Sequence, residues 1–130
     1  MKITNTLPLA FFLLASAAAD AEPDKENIHP VNTVRVQLAN DQSGANANKQ
    51  VPTDGVKHSI DSLWGDTAVA RHGVVFATSA QLTANFQNTA CTISQPPKVH
   101  AELDSQRTWV SLDGGKVVEL DHGFITCHHT

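Results

Sequence analysis

Short runs in which aliphatic residues alternate with polar ones, divided by turn-forming residues every roughly 8 to 12 positions, restrict this chain to antiparallel sheet. Val34, Val36 and Leu38 alternate with Arg35 and Gln37, and Val99, Ala101 and Leu103 alternate with Lys98, His100 and Glu102, each giving one apolar face. Residues 74–82 (VVFATSAQL) and 86–94 read as longer strands, the second carrying Cys91 and Ile93 on one face. Residues 108–112 and 116–120 flank Asp113-Gly114-Gly115, a hairpin signal because glycines supply the positive φ angles of tight turns. Residues 124–127 form the last strand. Turns are expected at Thr53-Asp54-Gly55, Thr83-Ala84-Asn85, Pro96-Pro97, Asp104-Ser105-Gln106 and Asp121-His122-Gly123, with a brief helical turn over 59–65. From Glu22 onward twelve valines and four isoleucines outnumber six leucines, three phenylalanines and two tryptophans, a β-branched bias that favours strands. The expected fold is all-β, a small antiparallel β-sandwich or barrel of about seven or eight short strands.

The N-terminus has a different character. Lys2 precedes an apolar run over residues 7–19 that ends in small residues, the layout of a secretory signal peptide. The run is too short for a stable span of roughly 20 residues, and no second one follows. We expect a leader over 1–21, a polar, disordered lead-in over 22–32, one β domain over 33–127 and a tail over 128–130. An exported chain with an even cysteine count is expected to pair Cys91 with Cys127, worth roughly 3 to 4 kcal/mol on the chain-entropy account.

The net charge is −4 with histidines neutral, from nine basic and thirteen acidic residues, and no basic stripe suggests nucleic acid. No G-x-S-x-G elbow is present, and Asp104, Asp113 and Glu119 lie in or beside predicted turns, where solvated charges are ordinary. His128 and His129 are adjacent, so on an extended chain they point to opposite sides and make a poor metal pair. Neither an enzymatic activity nor a cofactor or metal is expected.

Residues 39–50 (ANDQSGANANKQ) hold no large apolar side chain and read as a long loop. Asp41, Ser43, Asn46 and Asn48 offer oxygens there, but not at EF-hand spacing. The candidate partner-binding residues are Asn40, Asp41, Asn46 and Asn48 in this loop, together with Trp64 beside Gly65 and Asp66. Trp109, in mid-strand, is expected in the core.

Three segments, VRVQLANDQSGANAN (34–48), VFATSAQLT (75–83) and RTWVSLDGGKVVEL (107–120), are similar to fungal small secreted proteins of the hypersensitive-response-inducing elicitor type. The resemblance implies a disulfide-linked β domain released by a fungus and perceived by, or acting on, plant tissue. Those proteins tend to carry more than one disulfide, whereas this chain has cysteines for one. The expectation is a secreted, non-enzymatic effector or elicitor that binds a host protein or cell-wall component through its loops. The rival readings are a carbohydrate-binding module for cell-wall polymers and an inhibitor of a host hydrolase.

Overall fold

The alternation at residues 34–38 becomes strand β1 (Thr33–Asn40), whose Val34, Val36 and Leu38 are fully buried while Arg35 is exposed. The computed structural model describes residues 32–130; the expected leader and the lead-in up to residue 31 lie outside the described residues. Among the described residues ten further strands follow: β2 (Ala45–Pro52), β3 (His58–Ser59), β4 (Ala70–Arg71), β5 (Val74–Ala77), β6 (Ser79–Ala84), β7 (Thr89–Gln95), β8 (Val99–Asp104), β9 (Trp109–Ser111), β10 (Val118–Glu119) and β11 (Phe124–His129). One helical turn, α1 (Ile60–Trp64), starts where the Ser59 hydroxyl accepts from the Ser62 N–H and ends at Gly65.

The strands form three antiparallel sheets, in the orders β9-β6-β1-β2, β10-β5-β4 and β3-β11-β7-β8. The all-β class holds. Inward residues of all three sheets join Ile60 and Trp64 in one buried apolar cluster. β8 shows the pattern at its cleanest, with Val99, Ala101 and Leu103 buried and His100, Glu102 and Asp104 exposed.

Cys91 and Cys127 are directly opposite in the β7–β11 ladder, their Cα atoms are 4.1 Å apart, and they form the disulfide. With a sequence separation of 36 it removes about 3 to 4 kcal/mol of loop entropy from the unfolded chain.

Four local expectations need correction. Residues 39–50 form a β1–β2 hairpin rather than a long loop, its turn confined to Asp41-Gln42-Ser43-Gly44 and closed by the Gly44 N–H on the Asn40 carbonyl at 2.8 Å. Gly44 has φ of 78°, which explains a glycine there. Residues 74–82 are two strands in different sheets, parted at Thr78. This threonine donates its N–H to the Ala39 carbonyl at 2.7 Å and accepts the Asp41 N–H on its hydroxyl, pinning the crossover to the end of β1. The Asp113-Gly114-Gly115 turn forms with positive φ at both glycines, yet its flanking strands separate, β9 pairing with β6 and β10 with β5. Finally, His128 and His129 are in β11, opposite Ala90 and Thr89, so the last strand runs beyond Cys127.

Candidate binding face

The outer face of the β9-β6-β1-β2 sheet differs chemically from the rest of the surface. Cα register places Trp109, Gln81, Gln37 and Asn48 in a single row across all four strands. Neighbouring strands lie about 4.8 Å apart, so the row spans roughly 14 Å. Beside it on the same face lie Asn46 and Gln50 on β2 and Thr83 on β6, with Arg35 on β1.

Hydrogen bonds hold Gln37, Asn46, Asn48, Gln50 and Arg35 in place. Gln37 Nε2 donates to Asn46 Oδ1 at 3.4 Å, and the Thr83 hydroxyl donates to Asn48 Oδ1 at 2.7 Å. Arg35 Nε donates to Thr83 Oγ1 at 3.3 Å, and the Thr33 hydroxyl donates to Gln50 Oε1 at 2.8 Å. Each amide has both donors and acceptors, so one used in a lateral bond still presents hydrogen-bonding capacity outward. Arg35 supplies the one charge among the outward strand residues of this face, and exposed Arg107 borders it. Acids and imidazoles lie instead on the outer side of β3-β11-β7-β8, where His100, Glu102, Asp104 and His128 are exposed.

Trp109 is 53% exposed at the end of this row. It contradicts the expected core placement, and Trp64 contradicts its surface placement: Trp64 is 0% exposed, with Nε1 donating to the Ala47 carbonyl at 3.1 Å. The two indoles exchange roles. Both placements have a local cause. Ile60 and Trp64 are four residues apart on α1 and share its buried side, whereas Val110 and Leu112 point inward and leave Trp109 and Ser111 outward. Phe124 is also exposed, but the Lys57 ammonium lies 5.8 Å over its ring.

The structure thus divides the candidate residues. Asn46 and Asn48 come together on the sheet face. Asn40 is nearly buried and organises the turn, its Oδ1 accepting from the N–H groups of Gln42 and Ser43 and its Nδ2 donating to the Phe76 carbonyl. Asp41 is exposed in that turn, away from the amide row. Trp64 belongs to the core, and Cys91 and Cys127 to the scaffold. Trp109, Gln81 and Gln37 were missed as site residues, although the parity of Trp109 against Val110 and Leu112 was a readable signal.

No family model, curated protein or solved structure matches this chain.

A cavity of 280 Å³ lies elsewhere, between the Pro96-Pro97 corner and β10, lined in part by Lys98, Asp113, Val117, Glu119 and His122. Gln95 braces it, donating from Nε2 to the Glu119 carbonyl at 2.8 Å and accepting the His122 N–H on Oε1 at 3.1 Å. Two of the acids near turns, Asp113 and Glu119, thus share a wall, while Asp104 uses Oδ1 to accept the N–H groups of Gln106 and Arg107. Among the described residues no group of three or more His, Cys, Asp or Glu side chains is placed to hold a metal ion, and no helix is long and apolar enough to cross a membrane.

Proposed function

We propose that this chain is a secreted, non-enzymatic effector or elicitor that engages a plant target, and that it does so through the open face of the β9-β6-β1-β2 sheet. The observation that carries this reading is the half-exposed Trp109 in register with Gln81, Gln37 and Asn48, a large anchor beside a row of amides on a rigid sheet. The elicitor class rests on the resemblance of three segments. The Cys91–Cys127 disulfide fits work outside the cell. The recognition surface moves from the loops to a sheet because the supposed long loop is a hairpin that contributes Asn46 and Asn48 to that sheet.

Leaf infiltration tests the reading. The purified protein at micromolar dose is expected to trigger cell death or a defence response, and Trp109→Ala to need at least a tenfold higher dose. An inert wild-type protein would remove the elicitor reading, and an equally potent Trp109→Ala variant would remove this face as the recognition surface.

A further inference from the structure

We infer that the row formed by Trp109, Gln81, Gln37 and Asn48 binds an uncharged, β-linked polysaccharide strand laid across the four β-strands. This inference rests on the reading of that face as the recognition surface and specifies its occupant. Three features point to such a ligand. An indole half-exposed at one end offers apolar aromatic surface to the C–H face of a pyranose ring. The next three positions are all carboxamides, the side-chain group that both donates to and accepts from hydroxyls. Their spacing of about 4.8 Å is near the advance of one hexose in an extended β-linked chain, so successive strands meet successive sugars.

Charge selects among hydroxyl-rich ligands. The outward strand residues of this face include no carboxylate and a single cation, Arg35, which donates to Thr83, with Arg107 exposed at the edge two residues before Trp109. An acidic glycan or a nucleic acid would call for several unpaired cations here, and a basic partner would call for acids, which this protein collects on its opposite sheet. Gln37 and Asn48 are held laterally by Asn46 and Thr83, so these two amides present fixed partners and lose little freedom on binding.

The experiment titrates the full-length secreted protein with cellohexaose, laminarihexaose, xylohexaose and chitohexaose, with polygalacturonate as the charged comparison, by calorimetry and tryptophan fluorescence. At least one neutral oligosaccharide is expected to bind and shift the emission of Trp109, with an affinity unchanged between low and high salt. Trp109→Ala should weaken it at least tenfold, Trp109→Phe should restore part of the loss, and Gln37→Ala and Gln81→Ala should each weaken it severalfold. No binding of any neutral oligosaccharide, binding indifferent to Trp109→Ala, or salt-sensitive binding of polygalacturonate alone would each overturn the inference. If Trp109→Ala abolishes the leaf response while no glycan binds, the occupant is a protein and the inference fails, though the face remains the recognition surface. If the variant keeps the leaf response and neutral glycans bind the wild type through Trp109, the inference holds and the elicitor reading of the face fails.

Discussion

Replacing each tryptophan by alanine separates the core from the working surface. Trp64 is fully buried and its indole N–H satisfies the Ala47 carbonyl, so Trp64→Ala leaves both a large void and an orphaned acceptor. Large aromatic truncations of this kind cost about 3–5 kcal/mol. That is a large share of the roughly 5–15 kcal/mol that holds an ordinary domain folded. At about 4–8 °C per kcal/mol for a domain near this size, Tm should fall by more than about 12 °C. Trp109→Ala removes a side chain that is 53% exposed and leaves no hydrogen-bond partner orphaned, and should cost about 1–2 kcal/mol, well below Trp64→Ala. Urea unfolding followed by far-ultraviolet circular dichroism measures both. Acrylamide quenching adds an independent check, because the fluorescence that survives in Trp64→Phe should be strongly quenched and that in Trp109→Phe protected. A Trp109→Ala variant less stable than Trp64→Ala would refute the placement of both rings, and with it the binding face.

Other expectations follow from the same contacts. Cys91→Ala with Cys127→Ala should lower unfolding free energy by about 3 to 4 kcal/mol, read from the shift of the urea midpoint. Asn40→Ala loses the bonds to Gln42, Ser43 and Phe76 and should cost about 1–3 kcal/mol, whereas Asn46→Ala on the open face should stay within about 0.5 kcal/mol. The Val56 N–H and the His58 imidazole hold the Asp54 carboxyl below its usual value of 3.8. The bonds that depend on this carboxylate therefore help the fold above the ordinary aspartate range and are lost as pH falls through the lowered value. Carboxyl NMR should place the Asp54 midpoint below that of a free aspartate, and Asp54→Asn should abolish the acid-side loss of Val56 amide protection.

The strands with inward-pointing branched residues were legible because burial of one face forces a period of two. Residues 45–50 were not, since their inward positions are Ala45, Ala47 and Lys49, none of them bulky. The missing volume comes from elsewhere in the chain: Trp64 packs its indole on that side and bonds to Ala47, and Lys49 reaches Asp66 at 3.5 Å. A single segment cannot display such a complement. The hairpin signal at Gly114-Gly115 failed for a related reason. Glycine chemistry fixes the turn, but Leu112 bonds back to the Thr78 carbonyl while Leu120 bonds to Val75, so the two arms follow different sheets. The alternation around Trp109 was present in the sequence, and it outweighs the tendency of tryptophan to be buried.

The disulfide also fixes what becomes of a cleaved molecule. Gly114 and Gly115 sit in an exposed turn lying between Cys91 and Cys127, where an endoprotease finds accessible backbone. A single cut there yields two fragments that stay linked through sulfur, one bearing Trp109 and the other the final strand. Such nicked protein would run as a single band until a reductant is added, and could keep its amide row assembled after the chain itself is broken.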